Sequence, residues 1–246
     1  MSVVYLQEVF SSVQGEGPYV GCRQIFVRLA GCNWTCAYCD TPGNPTPAAW
    51  VLEKTPGKRD FMTLTNPVDA RVLTEIVRGF DLSLHHSLSF TGGEPLLHNR
   101  FLKEFIPCVK ETRAGIFLET NGTLPAELAQ VIDCIDIVSM DIKLRSSTGT
   151  ETPWEVHKKF LNLAARQQVY VKVVVSAATQ EAEIIKTGQL VAGIDERIEL
   201  ILQPVTERGG IAAPSVDMIL RLQEKALQSL QKVRVIPQTH RMMGQL

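Results

Sequence analysis

The chain has 246 residues, 45% of them hydrophobic and 21% charged, with a formal net charge of −1. No basic or acidic block stands out, which removes the electrostatic case for nucleic-acid or polyanion binding, and no apolar run approaches the ~18 to 20 residues that a bilayer-spanning helix needs. The opening Met-Ser-Val-Val-Tyr-Leu-Gln-Glu lacks a signal-peptide pattern, so the expectation is a soluble, cytoplasmic protein. Its length fits one large α/β domain, the reading taken for residues 1–246, as well as two small ones, and needs no disulfides.

Val3 to Phe10 reads as a short strand, followed by a glycine-rich loop from Ser11 to Gly21 in which glycines permit close approach to a ligand. Gln24 to Leu29 is a β-rich run, and its Arg28 must be paired internally or aimed at an anion. A polar loop follows with Cys32, Cys36 and Cys39 in a C-x₃-C-x₂-C spacing. Residues 42–64 are dense in proline and glycine and read as an irregular surface insertion with one short strand at Trp50 to Leu52.

A regular alternation begins after the insertion. Asn66 is expected to cap a helix with Val72, Leu73, Ile76 and Val77 on its apolar face. Strands are expected at Ser87 to Phe90, Gly115 to Glu119, Ile135 to Met140, Val169 to Val175, Ile198 to Leu202 and Val233 to Ile236. Helices are expected at Arg100 to Thr112, Pro125 to Ile132, Pro153 to Gln167, Thr179 to Val191 and Pro214 to Leu230, the last with Met218, Ile219, Leu222 and Leu227 facing inward. Strand, helix, strand repeated about six times implies a parallel sheet with right-handed crossovers. The polar signatures fall at the C-terminal ends of these strands, the edge where ligands bind in parallel α/β folds. The cysteine loop, Thr91 to Glu94, Thr120 to Gly122, Asp141 to Lys143 and Gln203 should therefore share one rim.

Three thiolates this close can hold three irons of a four-iron cluster and leave the fourth without a protein ligand. Structural zinc wants four ligands, and Cys108 and Cys134 have no paired partner at ligand spacing. A disulfide is disfavoured in a reducing compartment. Cys22, Cys108 and Cys134 are expected to pack as small hydrophobes. His85, His86, His98 and His157 read as surface or cap residues, and His240 as a structural hydrogen-bonding residue.

The cysteine spacing, Tyr38 before the third cysteine, and Thr91-Gly92-Gly93-Glu94-Pro95 resemble the radical S-adenosylmethionine (SAM) superfamily. Val13-Gln14-Gly15-Glu16-Gly17-Pro18, Phe26 to Asn33, Cys39-Asp40-Thr41, Glu119 to Gly122, Ser139 to Lys143, Gln203-Pro204 and Gln238-Thr239-His240 resemble more narrowly the 7-carboxy-7-deazaguanine synthase family, and only the insertion departs from its shorter forms. The resemblance implies an incomplete (βα)₆ TIM-like barrel working as a homodimer. It also implies conversion of 6-carboxy-5,6,7,8-tetrahydropterin to 7-carboxy-7-deazaguanine by radical ring contraction with loss of ammonia, in queuosine and other 7-deazapurine biosynthesis.

The same resemblance implies a [4Fe–4S] cluster on Cys32, Cys36 and Cys39, SAM as a regenerated cofactor on the open iron, Mg²⁺ on Thr41, and an external one-electron donor of flavodoxin or ferredoxin type. Tyr38, Gly92, Gly93, Glu94, Ser139, Asp141, Lys143 and Gln203 would then meet SAM, and Gln14, Gly15, Glu16, Arg28, Thr91 and the Leu246 carboxylate the substrate. Three rival readings remain: a radical SAM activase that installs a glycyl radical on a partner protein, an electron-transfer iron–sulfur protein, and a zinc-stabilised binding module.

Overall fold

A computed structural model describes residues 2–39, 41, 43–207 and 210–245. β-branched and aromatic runs make the strands, and Asp69, Pro125, Pro153 and Gln180 open helices as capping side chains or prolines. In chain order the first elements are β1 (Val3–Val4), β2 (Leu6–Val13), β3 (Arg23–Leu29), β4 (Ala49–Glu53), β5 (Phe61–Thr65) and β6 (Val68–Asp69). The alternating part follows: α1 (Ala70–Arg78), β7 (Ser87–Gly92), α2 (Asn99–Phe105), β8 (Ile116–Thr120), α3 (Pro125–Ala129), β9 (Ile137–Asp141), α4 (Arg145–Thr148) and α5 (Trp154–Ala164). It ends with β10 (Gln168–Val175), α6 (Glu181–Asp195), β11 (Glu199–Pro204), α7 (Val216–Leu227), β12 (Val233–Val235) and α8 (Thr239–Met242).

One ten-stranded sheet runs β12-β11-β10-β9-β8-β7-β3-β2-β4-β5. From β3 to β12 every neighbouring pair is parallel, so the expected six crossovers are present. The sheet order ends at β12 and β5 without joining them, which makes an open, partial barrel. Leu88, Phe90, Leu118, Val138, Val171, Val173, Leu200 and Leu202 supply the fully buried layer between strands and helices. Parallel pairing aligns Arg28 with Thr91, Glu119 with Ser139, Asp141 with Lys172 and Val174 with Gln203. The polar side chains thus gather on one rim.

Several local expectations are corrected. The insertion is not irregular over 49–65: β4 and β5 form an antiparallel hairpin, and β4 pairs in parallel with β2. Trp50, 2% exposed, anchors it in the core. Asn66 does not cap α1, because the proline after it disfavours helical backbone. Its side chain instead accepts from the Leu6 N–H at 3.0 Å and donates to the Leu6 carbonyl at 2.9 Å, while Asp69 caps the helix through the Val72 N–H at 2.9 Å. Helix α2 ends at Phe105, well short of Thr112, with Pro107 interrupting the amide ladder. On α7, Leu227 is exposed and Ala226 takes the inward position. Cys108 is exposed and Cys22 only half-buried, whereas half-buried Cys134 packs against the core as a small hydrophobe. His85 and His157 are buried, not superficial.

Candidate active site

The cysteine loop leaves the C-terminal end of β3 and lies beside the end of β7. Its base is held by backbone bonds, from the Gly93 N–H to the Leu29 carbonyl (3.1 Å) and from the Glu94 N–H to the Gly31 carbonyl (2.9 Å). That approach is open only to glycine. A Cβ on Gly93 would sit 1.8 Å from the Gly31 oxygen, and one on Gly92, at a φ of 118°, 2.2 Å from the Leu29 oxygen. The glycine pair therefore has a task before any ligand arrives, which is to seat the thiol loop on the sheet.

Glu94 is fully buried and does not line the cavity. Its carboxylate accepts from the Asn121 N–H (2.7 Å), the Thr120 hydroxyl (2.9 Å) and the Leu96 N–H (3.1 Å). Burial outweighs these bonds and pushes it up to about 7. These bonds give it a structural task, joining the end of β8 to the end of β7. From that junction the Asn121 side-chain amide donates to the Asn33 side-chain carbonyl at 2.9 Å and approaches the Cys32 sulfur at 3.9 Å. Trp34 N–H approaches the same sulfur at 3.4 Å.

A cavity of about 410 Å³ opens at this rim, within the range of small-molecule sites. Cys32, Cys36 and Cys39 line it together with Tyr38, Thr41, Gly92 and Gly93. So do Gln14, Gly15, Glu16, Arg28, Thr91, Ser139, Asp141, Lys143 and Gln203. Every expected site residue but Glu94 and Leu246 is thus brought together, and Leu246 lies outside the described residues.

The cavity wall carries a chain of charges. Lys143 Nζ donates to Asp141 Oδ2 (2.8 Å) and to the Tyr38 hydroxyl (3.2 Å), and lies 5.4 Å from the Tyr38 ring centroid. Burial opposes the ammonium, yet Asp141 and Tyr38 outweigh that cost and hold Lys143 well above its ordinary value. Lys172, on the next strand, is ion-paired with Glu16 and lies 3.8 Å from Asp141. Glu16 also accepts from Gln238 Nε2 at 2.7 Å. Burial works against the Glu16 carboxylate, but Lys172 and Gln238 prevail and hold it at about 2. Glu119 receives Gln14 Nε2 at 2.9 Å and the Thr91 hydroxyl at 2.6 Å, tying both to the rim. Arg28 gives its Nε to Glu8 at 2.6 Å, which leaves its terminal nitrogens to face other groups.

Lys172, Glu119 and Gln238 were not among the expected ligand contacts. The signal for Lys172 was present: a single lysine inside the valine-rich run 169–175 is a buried charge that demands a partner. Glu119 and Gln238 sat in recognised motifs without an assigned task.

The donor set fits a cluster and a bound small molecule. The three thiols are free and share one cavity. Among the described residues no three His, Cys, Asp or Glu side chains are gathered as ligands of a single metal ion; a cluster asks instead for thiolates spread over separate irons. Burial pushes the Cys32 and Cys36 thiols above their ordinary value, so bound cations are what would bring out the thiolates. Asp141 Oδ1 and Gln203 Oε1 are buried acceptors with no partner among the described residues, and both belong to cavity-lining side chains ready for a ligand's donors.

Comparison with known proteins identifies the family. The model of the radical SAM superfamily matches residues 27–176. A 7-carboxy-7-deazaguanine synthase of Geobacter sulfurreducens is 44% identical over 98% of this chain and 97% of its own length. One of Methanothermobacter thermautotrophicus is 35% identical over 96% of each. Among solved structures, QueE from Escherichia coli superposes with a TM-score of 0.57 over 97% of this chain and 95% of its own, at 19% identity. The chain therefore belongs to the radical SAM superfamily and, within it, to the 7-carboxy-7-deazaguanine synthase family.

Proposed function

We propose that this chain converts 6-carboxy-5,6,7,8-tetrahydropterin to 7-carboxy-7-deazaguanine with loss of ammonia, as a single radical SAM domain. The observation that carries the reading is that one cavity joins three free thiols to an ionised Glu16, Lys172 and Arg28. When bound, the [4Fe–4S] cluster with SAM supplies a one-electron cleavage of a carbon–sulfur bond and hence a radical able to take hydrogen from the substrate.

The protein's own groups bind and orient. Glu16 is negative at neutral pH, and each of its oxygens keeps a lone pair beyond the bonds to Lys172 and Gln238. It can accept the adjacent N–H donors of a guanine-like edge. The terminal nitrogens of Arg28 suit the substrate carboxylate. Asp141 and Gln203 offer acceptors to SAM, and Ser139 and Tyr38 line its side of the cavity. Thr41 lies at the same cavity and would offer an oxygen to Mg²⁺, which keeps other ligands from water or substrate.

The enzyme needs an external one-electron donor, of flavodoxin or ferredoxin type in this reading, and acts as a cytoplasmic homodimer. No helix among the described residues is long and apolar enough to cross a membrane. The test is anaerobic incubation of cluster-reconstituted protein with SAM, reductant, Mg²⁺ and 6-carboxytetrahydropterin, read by mass spectrometry. The expected product is lighter than the substrate by ammonia. Formation of 5′-deoxyadenosine alone would keep the superfamily and reject the substrate.

A further inference from the structure

The β4–β5 hairpin reaches a segment on which the site depends. Its turn is fixed from within, since the Thr55 N–H and hydroxyl both donate to the Asp60 carboxylate at 2.8 Å. Arg59, just before Asp60, holds a φ of 53°, left-handed backbone that a non-glycine residue enters at a cost. Two bonds hold it there. Its N–H donates to Oε1 of the buried Glu53 at 2.9 Å, and its guanidinium donates to the Gly244 carbonyl at 2.6 Å.

Gly244 belongs to a segment that folds back on α8. The Gln245 N–H donates to the His240 carbonyl (2.9 Å), and the Ser12 hydroxyl donates to the Gln245 side chain (3.0 Å). At the other end of α8, Thr239 donates to the Gly15 carbonyl through its N–H (2.9 Å) and its hydroxyl (3.1 Å). Gln238 then reaches Glu16. A continuous run of bonds thus leads from Arg59, which does not line the cavity, to the loop that does.

We propose that Arg59 is a positioning residue: its guanidinium latches segment 239–245 to the hairpin and so holds Gly15–Glu16 in place for the substrate. The insertion is then a working part of the substrate side. Only the substrate half of this inference rests on the pterin reading, because the latch is a property of the protein alone.

Hydrogen exchange by mass spectrometry on the full chain tests the latch. Arg59→Ala should exchange about tenfold faster over 239–245 and over the Gly15–Glu16 loop, an effect equivalent to about 1.4 kcal/mol. Helix α5 should be unaffected. Arg59→Lys, which keeps a cationic donor, should restore much of the protection. Arg59→Gly relieves the backbone cost and so guards against a folding defect; it must loosen 239–245 as alanine does. With 6-carboxytetrahydropterin, Arg59→Ala should raise KM and leave kcat in place. Unchanged exchange over 239–245 in both the alanine and glycine variants overturns the latch. Faster exchange there, with the Gly15–Glu16 loop and KM unmoved, overturns its reach into the site. If the wild-type protein turns over no pterin, the exchange result still decides the latch, and the substrate reading fails on its own.

Discussion

Replacing Lys172 with methionine should cost about 3 kcal/mol of stability at neutral pH. Lys172 and Glu16 are 13% and 15% exposed, too buried for water to stand in for either partner. The pair and Gln238 bring Glu16 from its ordinary 4.5 to about 2 against the cost of burial. At about 1.36 kcal/mol per pH unit, that depression corresponds to about 3 kcal/mol, in line with breaking a buried pair. Because the folded carboxyl is depressed, this stabilisation is complete above pH 4.5 and fades as pH falls toward about 2. Methionine keeps most of the volume, so cavity formation adds little. Urea unfolding at several pH values reads the effect. The two proteins should differ most near pH 7, and the gap should narrow as Glu16 takes up a proton. Equal midpoints at pH 7, or a gap that does not narrow below pH 4.5, would refute the ion-pair argument.

Three other outcomes are expected. Gly93→Ala forces a Cβ to 1.8 Å from the Gly31 oxygen, so the cysteine loop must lift; bound iron and sulfide should fall, and stability should drop by about 3 kcal/mol, the upper range of overpacking. Cys36→Ala removes a thiolate, and the broad absorbance near ~400 nm of the reconstituted protein should vanish with its iron. His157, buried and pushed down to about 4 by burial, accepts the Lys143 N–H at 3.3 Å and bonds the Gly122 carbonyl at 3.1 Å. Its neutral form is favoured by the fold, so this histidine alone withdraws about 3 kcal/mol as pH falls from 6.5 to about 4, against the opposite slope of Glu94, which is held up at about 7. A His157→Gln variant, compared by urea titration, should lack that slope.

The parallel sheet was legible because period and punctuation agree: valine-rich runs alternate with amphipathic ones, and polar signatures mark each strand end. The thiols and most of the rim followed from that placement. What escaped was long-range partnership. Nothing local says that Glu119 receives Gln14, 105 residues away, or that Gln238 meets Glu16 across 222. The structural task of Glu94 was hidden for a related reason: its three donors, Leu96, Thr120 and Asn121, come mostly from another strand end. The insertion misled through composition. Thr55-Pro56-Gly57-Lys58 is a hairpin turn, and Trp50 buries the strand before it.

The bonds from Gln238 and Thr239 to Gly15 and Glu16 also bear on the order in which the molecule matures. A nascent chain that has emerged only to about residue 230 already holds β3, β7 and β8, the bed of the thiol loop, and Lys172 and Glu119 to meet Glu16 and Gln14, but it still lacks the bonds of Gln238 and Thr239 to the loop after β2. The bed of the thiol loop is thus encoded ahead of the last ties on the loop after β2, so the two sides of the rim mature in chain order.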